Sequence, residues 1–252
     1  MRVLLLSLFL ALVGGGALAA PVDPVLQKEL LAVYDAFNAT VAAGQYDKAV
    51  AQRPAEAQAQ FKSQLKTAQD RKAFMEMSKL MTPDSVEITY SRLSADGSKA
   101  LLVGTAAKIV PKGLKDPSAP PPGTVITSEL TVEFVREEGK WKYLSQSFGM
   151  DPARIKPCRE TAYESIEAYD TGSSLSAGGP IMRVDFRPDH TLVVFRALNE
   201  ENCAFLPSRE VLTKGGFDVG LLQPYVVVSI EGFRHKSSKQ KIWVDQLDVS
   251  EN

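Results

Sequence analysis

Few residues in this chain have the type and spacing to do chemistry. The run Asp170-Thr171-Gly172-Ser173-Ser174 sets a carboxylate on a tight polar turn. Two such carboxylates held together can share one proton and activate water, because like charges that close cannot both ionise. The chain has one such run, so the partner carboxylate would have to come from a second copy. The approach to Asp170 carries Glu164, Glu167 and Ala168, with only Ile166 and Tyr169 apolar. Asp, Gly and Ser are also what ordinary turns use. The reading is therefore a loop that runs on into a flexible "LSAGG" linker. His190 lies in a Pro-Asp-His turn and His235 in the basic run "FRHKSSKQK". Both read as exposed turn residues, and no motif joins them to Ser173 or Ser174 as nucleophile and base. Structural zinc wants four ligands, and two histidines with two cysteines at these spacings do not form such a set. No catalytic residue, metal or cofactor is expected.

Cys158 and Cys203 are the only cysteines, and their pairing depends on compartment. The chain opens with Arg2, an apolar stretch over residues 3–13, and small residues ending in Ala17-Leu18-Ala19. That order is a secretory signal peptide, assigned to residues 1–19 with cleavage after Ala19. Its apolar core is too short to span a bilayer, which takes about 20 residues. The expected product is exported, periplasmic or secreted, with no membrane span in the mature chain. A disulfide between Cys158 and Cys203 follows from the oxidising compartment. Lys plus Arg is 29 against 30 for Asp plus Glu, and neither half carries the basic excess that binding a phosphate backbone leaves. Nucleic acid is excluded as a partner.

The elements that must position these residues divide near residue 149. Asp23 and Pro24 mark a helix start, and Val22, Leu26, Leu30, Val33, Phe37 and Val41 make one apolar stripe that Gly44 ends. A second helix follows Pro54 with Ala57, Phe61 and Leu65 on one face. A third carries Phe74, Met77, Leu80 and Met81 as core and stops at Pro83. From Ser85 the period becomes alternating. Val86, Ile88 and Tyr90 share a face, then Leu101, Val103, Ala107 and Ile109, and then Ile126, Ser128, Leu130, Val132 and Phe134. A charged turn leads into Trp141 and Tyr143. Helices followed by antiparallel strands predict an α+β domain over residues 20–149. "GMDPARIKPC" reads as a linker. Residues 150–252 read as a small β-sandwich, with hairpins in "IMRVDFRPDHTLVVFRAL" and between "PYVVVSIEG" and "KIWVDQLDV".

Two stretches carry a resemblance. "AFNATVAAGQYDKAVA" has a helix, a Gly turn and a short helix, and "VEFVREEGKWKYLSQSF" has a closing hairpin with a Gly-Lys-Trp-Lys turn. Together, over residues 23 to 148, they are similar to the nuclear transport factor 2-like superfamily, especially its small exported members. The resemblance implies a cone: three helices on a curved antiparallel sheet, with a pocket at the wide end. Enzymes of that superfamily, isomerases and dehydratases among them, place an Asp–His pair or an Asp with a Tyr donor in the cone. No histidine lies in this half, and Asp35, Asp47 and Asp84 read as capping or surface groups. "DTGSS" also spells the catalytic loop of aspartic proteases. That family needs a later apolar-apolar-Gly brace, and "VGLLQPY" has the letters in the wrong order.

The expected function is non-catalytic binding, either of a small apolar ligand in the cone or of an envelope protein. The cone residues expected to meet a ligand are Tyr34, Phe37, Tyr90, Ser128, Trp141, Tyr143 and Ser145. The rival readings are a cone-site isomerase or dehydratase, a dimeric aspartic protease through Asp170, and a structural subunit of an envelope assembly.

Overall fold

The computed structural model describes residues 20–21, 23–112, 120–159 and 162–250. The expected leader, residues 1–19, lies outside them. Helix α1 (Pro24–Ala42) starts where the Asp23 carboxylate accepts the N–H groups of Val25 and Leu26 at 2.8 and 2.9 Å. Its buried stripe is Leu30, Tyr34, Phe37 and Val41. Then come α2 (Tyr46–Ala51), α3 (Ala55–Gln64) and α4 (Ala68–Met81). Among its described residues the first half thus has four helices where the helical periods gave three. The additional one, α2, is the short helix after the Gly turn that the resemblance implied; it spans 6 residues and buries only Ala49 and Val50, too short a run for a helical period to show. α4 opens on a capping box, with Thr67 and Asp70 satisfying each other's backbone N–H.

These helices pack on one face of a sheet of β1 (Ala20–Pro21), β2 (Ser85–Leu93), β3 (Lys99–Ile109), β4 (Val125–Glu137) and β5 (Lys140–Phe148), antiparallel and in chain order. Leu102, Leu130, Val132, Phe134, Trp141 and Tyr143 form the core with the α1 stripe. Two register shifts break the alternation. One lies between Ile88 and Tyr90 in β2, and the other where Glu133 and Phe134 of β4 meet β5. Each places an extra residue on one strand and turns the following side chains to the other face.

The second half contains β6 (Tyr169–Phe186), β7 (His190–Ala197), β8 (Glu200–Pro207), α5 (Arg209–Lys214), β9 (Val227–His235) and β10 (Lys241–Ser250). Both expected hairpins form, β6 with β7 and β9 with β10. The expected sandwich does not. The strands close into a barrel in the order β10-β8-β7-β6-β9. The reason lies in β6, whose 18 residues pair with β9 through Ser174–Pro180 and with β7 through Ile181–Phe186. The strand crosses closely over β7 at Gly179, where a Cβ would fall 1.8 Å from the Arg196 carbonyl oxygen. "LSAGG" is therefore ladder and not linker. A parallel pair, β8 with β10, seals the ring, and closure removes the strand edges. Ile181, Val193, Phe195, Ala204, Leu206, Val228, Ile230 and Ile242 fill the interior. A five-stranded Greek-key barrel of this kind is the OB-fold architecture.

Candidate functional site

The sequence-predicted residues divide between two faces of the first sheet. Tyr34, Phe37, Trp141 and Tyr143 do converge under α1, and all four are buried. The Phe37 and Tyr143 rings stack with centroids 4.0 Å apart, and Tyr34 tilts against Tyr143 at 6.0 Å. The Tyr34 hydroxyl donates to Gln146 Oε1 at 2.8 Å. Arg53 lies over the rings of Phe61, Tyr143 and Phe37 at 4.6, 4.8 and 5.1 Å, and its Nη1 donates to the Leu144 carbonyl at 2.8 Å. Burial pushes the Tyr143 and Tyr34 phenols up and the Arg53 guanidinium down. This is a satisfied aromatic core capped by a cation. Ser128 shares its face, half-buried and paired in register with Ala106.

Tyr90 and Ser145 were expected on this face as well, and the register shifts put both on the other one. Tyr90 pairs with Val103, and its ring meets Tyr225 of the second half at 4.9 Å. Ser145 pairs with Glu133 and donates its hydroxyl to that carboxylate. A glycine signals the first shift. A Cβ on Gly104 would lie 2.1 Å from the Glu87 carbonyl oxygen, and a glycine inside a strand marks such a bulge.

Beyond the packed core, the end of α4 and the ends of β2 and β3 enclose an open cleft of about 490 Å³. Two of its charged groups, Asp84 and Lys108, are engaged with each other and with the backbone. Asp84 Oδ2 accepts the Ile109 N–H at 2.7 Å, and Asp84 Oδ1 lies 3.6 Å from Lys108 Nζ, which donates to the Thr82 carbonyl at 2.6 Å. Leu80 and Ile109 supply its apolar lining, and apolar residues around it are exposed. Met77, Leu80 and Met81, expected in the core, are 61%, 49% and 47% accessible, and Met75 is the buried residue of α4. Ile109 and its register partner Val125 are exposed too. The helical stripe continues past the sheet that would have covered it. Asp35 and Asp47 are exposed.

On the barrel, residues 156–159 and 162–164 lie as a strap along the outside of β7 and β8. Cys158 and Cys203 are joined, as expected, with an S–S distance of 2.00 Å. The disulfide packs with Leu192, Val194 and Phe205. The Tyr163 ring stacks on His190 at 4.5 Å and on Trp243 at 5.7 Å. Glu164 accepts from Lys241 Nζ and pairs with His235 Nε2 at 2.8 Å; these two partners hold its carboxyl below the usual range. The histidines are therefore not bare turn residues. His190 is buried with Nδ1 2.8 Å from Asp189. His235 Nδ1 accepts the Ser237 N–H at 3.1 Å, which leaves the proton on the Nε2 facing Glu164. OB-folds bind ligands on the face of their second and third strands, here β7 and β8, and the strap occupies it.

Asp170 is exposed, and its Oδ1 accepts the Gly172 N–H at 3.2 Å. "DTGSS" is the irregular opening of β6, where pairing with β9 jumps from Tyr169 to Ser174. Arg53, Tyr163 and Glu164 do structural work at these sites that the sequence reading missed. Arg53 lies in the turn after α2, outside any periodic pattern, and no local signal marks it.

No family model matches the chain, and no curated protein matches it. Among solved structures, the intermembrane space region of the chloroplast protein ARC6 is similar at 16% identity, over 46% of this chain and 97% of that chain, with a TM-score of 0.25. That likeness is too slight to carry a fold or a function.

Proposed function

We propose that this is an exported, non-catalytic binding protein whose first half is a nuclear transport factor 2-like cone that docks an envelope protein. One observation carries the choice of a protein over a small apolar ligand. The ring stack of Phe37 and Tyr143 under Arg53 fills the place a cone ligand would take. Apolar side chains are instead offered outward at the wide end, by Leu80, Met81, Ile109 and Val125. Export is supported by the disulfide, which persists in oxidising compartments. Among the described residues no helix is long and apolar enough to cross a membrane. The strapped barrel serves in this reading as a rigid base, its usual ligand face covered.

The experiment is a pull-down of the mature protein from its native compartment, analysed for proteins and small molecules. The wild type is expected to recover an envelope protein that the double variant Leu80→Glu/Ile109→Glu loses while keeping its melting temperature. Recovery of an apolar small molecule with no protein, from both forms alike, would return the cone-ligand reading.

A further inference from the structure

We propose that the cleft between the outer face of the first sheet and the barrel binds an apolar molecule bearing a single carboxylate, anchored by Arg92. The cleft measures about 700 Å³. β2, β3, β4 and β5 form one wall, and Pro180, Tyr225 and Val227 of the barrel form the other. It lies on the opposite side of the sheet from the aromatic core, so it is independent of docking at the α4 end.

Arg92 lines this cleft, is 9% exposed, and has no hydrogen-bond or ion-pair partner among the described residues. Its stem is covered while the guanidinium nitrogens still reach solvent, so the cation faces the cleft without a counter-ion. The protein's own carboxylates nearby are already engaged. Glu129 Oε1 takes Arg196 Nη1 at 2.7 Å, with both side chains nearly buried, and Glu133 takes the Ser145 hydroxyl. Asp96 is held by Ser94 and Ser98 within their own turn. The neutral donors of the cleft remain available. The hydroxyls of Thr131, Ser147 and Tyr225 make no hydrogen bond among the described residues. Burial, and then Glu129, push the Tyr225 phenol up to about 12, so it keeps its proton.

Backbone geometry adds a separate indication. Among the described residues, Tyr225 is one of three non-glycine residues at positive φ, at 63°. It is held there by a 2.6 Å bond from its N–H to the Ile181 carbonyl. Such strain persists where the surroundings fix a side chain for use, and here it turns the phenol ring into the cleft against Tyr90.

The chemistry of the lining selects the ligand. A planar carboxylate matches the guanidinium fork in two parallel bonds. A dianionic phosphate would meet the repulsion of Glu129 and Glu133. Leu101, Leu144 and Val227 line the rest, which suits an aliphatic or aromatic body.

Titration calorimetry on the full chain with octanoate, octan-1-ol and octylamine tests this. Octanoate should saturate one site at least tenfold more tightly than octan-1-ol, and octylamine should not bind. Arg92→Met should weaken octanoate at least tenfold without lowering the melting temperature. Leu144→Trp, which fills the cleft and keeps Arg92, should abolish binding and decides the matter should the Arg92 variant misfold. Octanoate binding no tighter than octan-1-ol, or unchanged in Arg92→Met or in Leu144→Trp, overturns the proposal.

Discussion

The sheet of residues 20–148 and the barrel of residues 169–250 meet the same problem, apolar strands that need cover, with different means. The sheet is open, so helices must cover its inner face, and they stop short of its end, where Ile126 stands exposed. The barrel covers its interior by closing on itself. It still has an apolar outer surface on β7 and β8, and there a strap of irregular chain is bonded down by a disulfide, an ion pair and a ring stack. Regular packing does the work in the first half, and discrete tethers do it in the second. Damage should therefore be graded in the sheet and local to the tether in the barrel.

Replacing Cys158 and Cys203 by Ser should have the largest effect. Their separation of 45 residues corresponds to about 4 kcal/mol from restriction of the unfolded chain. Chemical denaturation followed by Trp243 fluorescence in a Trp141→Phe background reads it, and a loss shared equally with the first half, followed by Trp141 in a Trp243→Phe background, would break the contrast. Ser128→Leu comes next. In a packed core the added bulk should cost about 1–3 kcal/mol, seen as a lowered melting temperature. An unchanged melting temperature would mean that open space remains beside α1. Thr67→Ala removes the cap of α4 and should cost about 1 kcal/mol, read by urea unfolding. Asp170→Asn should stay within about 0.5 kcal/mol of the wild type, as surface changes do. Acid proteolysis by the wild type that disappears in this variant would revive the dyad.

The strap also carries a pH signature. The folded Glu164 carboxyl titrates below its ordinary range because of Lys241 and His235. Its contribution is thus complete above the unfolded value and is lost as pH falls through the folded one. Protection from amide exchange, relative to the intrinsic rate at each pH, should fall in residues 162–168 on acidification before it falls in β3 and β4.

Legibility followed locality. The cap and stripe of α1, the β4–β5 turn and the β6–β7 hairpin are written in neighbouring residues, and they formed where expected. Residues 200–207 were left unassigned, and with them the parallel pairing of β8 to β10 that makes a barrel. That pairing joins segments about 40 residues apart and leaves no periodic trace. Two register shifts were enough to move Tyr90 and Ser145 from the expected site to the opposite face. Alternation is a parity rule, and one inserted residue inverts everything beyond it. Arg92 entered no sequence-level site, because an arginine on a strand reads as solvent-facing until a second body is seen to cover it.

The position of the disulfide also decides how the molecule carries load. The chain leaves the first half at Gly149 and is bonded to β8 at Cys158, a leash of at most about 30 Å when fully extended. Tension applied through the first half therefore bypasses β6, which would otherwise peel from its end one hydrogen bond at a time. It enters instead at Cys203, whose register partners are Val194 on one side and Lys241 on the other. There, ladders on both flanks resist together. If the docked partner pulls, the barrel behaves as an anchor bolted through its middle.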